Sequence, residues 1–307
     1  MNKQQYLSAT AKYIQALPSA KKSNDTVKSY SKVLRQFGEY IKGEEITPAT
    51  VIEWRTSLYG HVSNNTIANY LTVLHTFFAS AERLGLVTDN PVLEQEIPEE
   101  QQREYDLLNS DEIDQLLNSD VPTNLDSRMQ ARNQAIVVLL LQTGIRNSEL
   151  RNLRVKDLDF ATCTITIRRG KGDKRRVVPF PPKARELVKA YLNSGIRPQC
   201  AIDSDWLFGT DADEHGHSTN GAIWKQFSSQ GLCRLIRCYT KNGCDHSVKT
   251  HTLRHAAASN WDDKGVPMRD IQRNLGHSSM TTTEQIYVSI LNDKKAALKA
   301  NELLANV

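Results

Sequence analysis

Residues 133–150 read NQAIVVLLLQTGIRNSEL. Asn133 to Gln142 is nearly all apolar, so the segment reads as a core helix buried on most of its sides, and Thr143-Gly144 ends it. After Gly144-Ile145 come an arginine, a capping pair and glutamate. Arg146 is thereby expected at a helix start near backbone N–H groups, where guanidinium and helix terminus both favour an anion. A surface arginine paired with Glu149 at i+3 is the plainer alternative.

Downstream lies the one convincing β signal. Cys163, Ile165 and Ile167 alternate with Thr164, Thr166 and Arg168, Gly170-Lys171-Gly172-Asp173 supplies turn residues, and 175–180 is a second extended run before Pro181-Pro182. The reading is a hairpin with Lys171 at its tip. Between two glycines that lysine can approach a ligand closely, as a proton donor or phosphate contact, or it is simply a soluble tip. From Arg168 to Arg185 eight basic residues face one acid, Asp173, so this stretch carries +7 in a chain of net charge +4. Such a patch fits a polyanion or a solvated basic face.

From Lys183 onward the pattern is helical, interrupted by loops near 194–220 and 239–250. In His251-Thr252-Leu253-Arg254-His255, with Thr250 or Thr252 as cap, His251, Arg254 and His255 stand at i, i+3 and i+4 on one face. Two imidazoles and a guanidinium suit a phosphate better than a core. A metal fits poorly, because no Glu base lies between the histidines and Arg254 puts a cation beside them. LGHSSMTTTEQIY, residues 275–287, holds a capping box in Thr281 and Glu284, with Tyr287 one turn further on. Half-buried packing is the plainer reading of that tyrosine.

Upstream, Ser110-Asp111-Glu112-Ile113 opens a helix through Leu116 and Leu117, with Ser or Asp as cap. Before it, residues 94–106, EQEIPEEQQREYD, hold six acids, one arginine and a proline without either period, and read as a linker. Residues 1–93 read as four helices: Tyr6 to Leu17, Val27 to Ile41, a third opened by Thr47-Pro48, and a fourth starting near Ser63 or Asn64 and ending by Gly85. Two domains, 1–93 and 107–307, fit a chain of 307 residues.

Hydrophobic residues at 39% and charged residues at 24% exclude wholesale disorder. The longest uninterrupted apolar run, Ala135 to Leu141, is far short of the roughly 20 residues that span a bilayer. The N-terminus shows no apolar signal core, so a cytoplasmic location and no membrane are expected. Five cysteines, at 163, 200, 233, 238 and 244, are odd in number and irregularly spaced, against a disulfide framework. Cys233, Cys238, Cys244 and His246 lie close in sequence but lack a paired C-x2-C knuckle, so no metal is expected.

The order TGIRNSEL, GKGDKRRVVPF, HTLRH, LGHSSMTTTEQIY resembles the tyrosine recombinase (phage integrase) family of site-specific recombinases. The resemblance covers nearly the whole chain. It implies a mainly α fold with a small antiparallel β-sheet: an N-terminal helical core-binding domain and a mixed α/β (α+β) catalytic domain. It further implies that Arg146 and Arg254 clamp the scissile phosphate, Lys171 is the general acid, His251 and His277 assist proton transfer, Tyr287 attacks, and Glu149 supports the site. No cofactor is implied. The expected partner is double-stranded DNA with inverted-repeat core sites, bound by a homo-oligomer, a dimer on a site and a tetramer in synapsis, joined by exchange of the C-terminal tail after Ile290. Backbone contacts are expected from Arg168, Arg169, Lys174, Arg175 and Arg176, and base contacts from Asn64 and Asn65, whose plainer reading is that they cap and solvate a helix. The rival readings are a DNA relaxing enzyme with the same tyrosine chemistry and a non-catalytic DNA-binding accessory protein.

Overall fold

The computed structural model describes residues 1–19, 22, 24–42, 45–92, 98, 108–118, 129–168, 175–197, 205–210 and 224–276. The chain forms two compact units, Met1–Glu104 and Tyr105–Val307. The expected linker, 94–106, lies outside the described residues apart from Pro98.

The first unit is built from α1 (Lys3–Ala16), α2 (Asn24–Tyr40), α3 (Pro48–Leu58) and α4 (Asn64–Arg83). Short polar caps start three of them. Asn2 and Gln5 form a capping box on α1, Thr47 caps α3 with Pro48 at its first position, and Ser63 accepts from the Thr66 N–H on α4. The apolar faces close on an aromatic cluster in which Phe37 meets Tyr6, Trp54 and Phe78 edge to face. Tyr6 is fully buried, and its hydroxyl donates to the Leu34 carbonyl at 2.8 Å, which joins α1 to α2.

In the second unit, α5 (Ser110–Asn118), α8 (Pro182–Asn193), α9 (Ser229–Cys244) and α10 (Thr250–Asp263) pack around α6 (Gln130–Thr143). Ala135 to Leu141 are all at most 1% exposed, as a helix apolar all round requires. Gly144 ends α6 in the left-handed region at φ +58°, its N–H donating to the Leu140 carbonyl at 2.9 Å. A Cβ at Gly144 would meet Leu275 Cδ2 at 2.8 Å, so this turn needs glycine for space as well as for φ. The short helices α7 (Asn147–Arg151) and α11 (Met268–Leu275) complete the unit.

The sheet β1-β2-β3 is antiparallel, with β2 (Thr164–Ile167) and β3 (Arg176–Pro179) pairing Ile165 with Val178 and Ile167 with Arg176. Ile165, Ile167 and Val178 point into the core. This is the expected hairpin, extended by β1 (Leu158–Asp159), which is too short to show a period in sequence.

Four details differ from the sequence reading. A second antiparallel pair, β4 (Gly209–Thr210) with β5 (Lys225–Gln226), arises from two-residue segments far apart in the chain. The loop expected over 239–250 begins only after Cys244, because Leu232, Leu235, Ile236 and Tyr239 form one buried stripe that keeps α9 helical until Asp245 turns left-handed at φ +60°. The cap of α5 is Asn109, which accepts from Glu112 N–H while its own N–H donates to Glu112 Oε2. Neither Thr250 nor Thr252 caps α10. Lys249 takes that position, and the Thr250 hydroxyl instead lies 3.4 Å from Cys233 Sγ.

Candidate active site

Three arginines from three elements converge on the last turn of α11. Arg176 Nε, on β3, donates to the Asn274 carbonyl at 2.9 Å. Arg254 Nη2, on α10, donates to Leu275 at 2.6 Å, and Arg146 Nη2, at the start of α7, donates to Gly276 at 2.8 Å. The last carbonyls of a helix have no partner within it and form the negative end of its dipole, so guanidiniums satisfy both needs there. Gly276 ends the helix at φ +66°, and His277 is the next residue in the chain.

Glu149 lies at the centre, its side chain 1% exposed. Arg176 grips it with two bonds, Nη1 to Oε1 at 2.6 Å and Nη2 to Oε2 at 2.7 Å. Arg146 adds its backbone N–H to Oε2 at 2.8 Å and Nη1 to Oε1 at 3.0 Å. Burial pushes the Glu149 carboxyl up, but the bonds and charges of Arg176 and Arg146 outweigh it and hold the group below its ordinary value. Glu149 is therefore an ionised, buried anchor. The Arg146 side chain keeps 22% exposure, more than Arg176 at 12%, and faces outward enough to meet a ligand.

Arg254 is buried and donates its second amine, Nη1, to the Gly144 carbonyl at 2.6 Å. One side chain thus links the end of α6 to the end of α11. One turn earlier on α10, His251 is exposed, its ring edge-on to buried His255 at 4.4 Å between centroids. Behind this face Asn147 Nδ2 lies 3.5 Å from Thr250 Oγ1 and 3.6 Å from Cys233 Sγ, which ties α7 to α9 and α10.

The fold therefore brings together Arg146, Glu149 and Arg254. Arg168 is half-exposed and bonds buried Asp157 at the edge of a cleft of about 290 Å³ whose lining includes Glu149, Arg154 and Lys156. Arg175 is exposed, whereas Arg176, read in sequence as a DNA contact, turns inward onto Glu149 and Asn274. Asn64 and Asn65 open α4 in the first unit, both half-buried. Lys171, His277, Tyr287, Arg169 and Lys174, and the tail after Ile290, lie outside the described residues.

A further basic face, on α9, carries no sequence motif. Arg234, Arg237 and Lys241 are all exposed at helical spacing and line a groove of about 510 Å³. In sequence they stand as basic residues at i, i+3 and i+7 opposite an apolar stripe. Among the described residues one group could hold a metal ion, Glu112, Cys244 and His246. It lies at the packing of α5 on the end of α9, apart from the arginines.

Residues 106–294 match the model of the phage integrase family, and residues 11–85 match its N-terminal SAM-like domain. The chain belongs to the phage integrase family. It is 30% identical to the tyrosine recombinase XerC of Oceanobacillus iheyensis, over 96% of this chain and 95% of the relative. Its fold is that of XerH site-specific recombinase bound to palindromic difH substrate in a post-cleavage complex, with a TM-score of 0.71 at 23% identity, covering 89% of this chain and 79% of that one. A lambda integrase dimer bound to a COC' core site shares the fold at a TM-score of 0.66 and 15% identity, over 89% and 94% of the two chains.

Proposed function

We propose that this chain is a site-specific DNA recombinase that cleaves and rejoins strands through a 3′-phosphotyrosine intermediate. The observation that carries this reading is the meeting of Arg146 and Arg254 on the neighbouring carbonyls of Gly276 and Leu275, immediately before His277. Two guanidiniums held that close can neutralise the non-bridging oxygens of one phosphodiester. Positioning and charge neutralisation are most of what phosphoryl transfer asks of a protein.

In the proposed step the Tyr287 oxygen attacks phosphorus and the bond to the 5′ oxygen breaks. The tyrosine proton passes to a neighbouring base or water, with His251 and His277 assisting. Lys171 protonates the departing 5′ oxygen, a contribution of roughly 10²- to 10⁴-fold. The phosphotyrosine ester stores the energy of the broken bond, so a 5′ hydroxyl from another strand can reverse the reaction without metal or ATP.

Residues 1–93 are proposed as the core-binding domain and 107–307 as the catalytic domain. The two would act in the cytoplasm on duplex sites with inverted repeats, as a dimer per site and a tetramer in synapsis, with the C-terminal tail docking in a neighbouring subunit. Arg168, Arg169, Lys174 and Arg175, joined by Arg234, Arg237 and Lys241 on α9, would contact the backbone, and Asn64 and Asn65 would read bases. Asn64→Ala and Asn65→Ala that leave site preference untouched would remove the last assignment.

The test is to select preferred duplexes from a random pool, place a nick beside the candidate cleavage position and isolate a denaturant-resistant adduct. Linkage of DNA to the Tyr287 peptide, lost in Tyr287→Phe, is the expected result. Tight binding without an adduct at any nick position would overturn the reading in favour of a binding protein, and failure to join strands from two sites would indicate a relaxing enzyme.

A further inference from the structure

Arg176 commits all three guanidinium nitrogens to the protein, and its side chain is 12% exposed against 54% for Arg168, which bonds Asp157 from the hairpin's edge. Both Glu149 oxygens are shared in the same way, each taking one bond from Arg176 and one from Arg146. Its Nε reaches the Asn274 carbonyl, and a Cβ on Gly276 would come within 3.0 Å of three of its side-chain atoms. One planar fork therefore joins β3, the start of α7 and the end of α11. The hairpin strand it sits on is joined in sequence to Lys171, Glu149 is bonded to Arg146, and Asn274 lies three residues before His277.

We infer that Arg176 is a positioning residue of the recombinase site: it holds the Glu149 carboxylate, and through it the Arg146 guanidinium, in the geometry that receives the phosphate, and it makes no DNA contact itself. The inference rests on the function proposed above. Its physical basis is competition for one buried anion. With Arg176 in place, both carboxylate oxygens are occupied in a fixed plane and Arg146 keeps donor capacity to spare. Without it, the buried carboxylate is left with Arg146 among these partners, and attraction in a poorly solvated setting draws that guanidinium onto Glu149 and away from a ligand. A lysine would restore the charge but could not span both oxygens and the Asn274 carbonyl, since it offers a point charge in place of a fork.

The test uses the full chain and the nicked duplex selected as above, once the wild-type protein has formed its Tyr287 adduct. If the wild type forms none, the recombinase reading fails, and this inference with it. With that established, Arg176→Gln and Arg176→Lys are compared for the salt dependence of DNA binding and for the adduct rate at saturating DNA. The expected result is an unchanged salt slope with an adduct rate reduced roughly 10- to 100-fold in Arg176→Gln, and not restored in Arg176→Lys. A shallower slope by about one, with the saturated adduct rate intact, would make Arg176 a phosphate contact and overturn the inference. Full activity in Arg176→Lys would overturn it as well, because charge without the fork would suffice. Should Arg176→Gln fail to fold, Arg176→Lys carries the comparison alone.

Discussion

Arg254 Nη1 donates to the carbonyl of Gly144 at 2.6 Å, joining α10 to the left-handed residue that ends α6. The same guanidinium reaches Leu275, so a single buried side chain aligns two helix ends, those of α6 and α11. Removing it orphans two buried acceptors at once.

Arg254→Ala is therefore expected to lower stability as well as activity. Each unsatisfied carbonyl costs about 1–3 kcal/mol, so a loss of a few kcal/mol should appear in urea unfolding. Adduct formation should disappear at the same time. A variant as stable as wild type would show that these two bonds contribute nothing net.

Gly144→Ala tests the turn itself. A left-handed Ala costs about 1–2 kcal/mol, and the 2.8 Å approach of its Cβ to Leu275 adds to that. Thermal unfolding should show a lowered midpoint, whereas Gly195→Ala, whose φ is also positive but whose Cβ would meet nothing within 4 Å, should cost only the backbone part.

Glu149 gives the stability a defined dependence on acid. Its native value lies below its ordinary 4.5, so the native state binds fewer protons than the unfolded state between those values. The contribution is fully present above about pH 4.5 and fades as pH falls through the lower native value. Urea midpoints measured from pH 7 to pH 3 should show Glu149→Gln less stable than wild type at neutral pH, with the gap narrowing in acid.

Salt dependence reports on the exposed cations of α9. If Arg234 and Arg237 each neutralise a backbone phosphate, Arg234→Ala with Arg237→Ala should reduce the slope of log binding constant against log salt by about two, without altering which duplexes are preferred. An unchanged slope would remove α9 from the DNA face.

Truncation after residue 289 separates the tail from the site. Single-site binding should persist while cooperative binding of a second subunit is lost. Gel-shift titration on one-site and two-site duplexes reads both quantities.

Local signals were enough to show most of the fold. Thr47-Pro48, Ser63 and Gly144 mark helix ends because capping and left-handed turns depend on a few adjacent atoms, and the alternation of 163–168 marks β2 because side chains of a strand alternate faces. Segments of two residues, such as β4 and β5, carry no period and gain their pairing only when distant chain is brought beside them. The end of α9 likewise depended on a buried stripe outweighing Asn242 and Gly243.

Residue type and order alone single out Arg146, Glu149, His251 and Arg254 as candidates, and the order of the motifs points to the family that the chain belongs to. What each guanidinium faces follows from packing. Arg175 and Arg176 are adjacent and chemically identical, yet strand alternation exposes the first and turns the second onto Glu149, 27 positions away in the chain. A one-dimensional charge pattern counts both as surface cations, because the carboxylate and the helix end that claim Arg176 become its neighbours only when β3, α7 and α11 pack together.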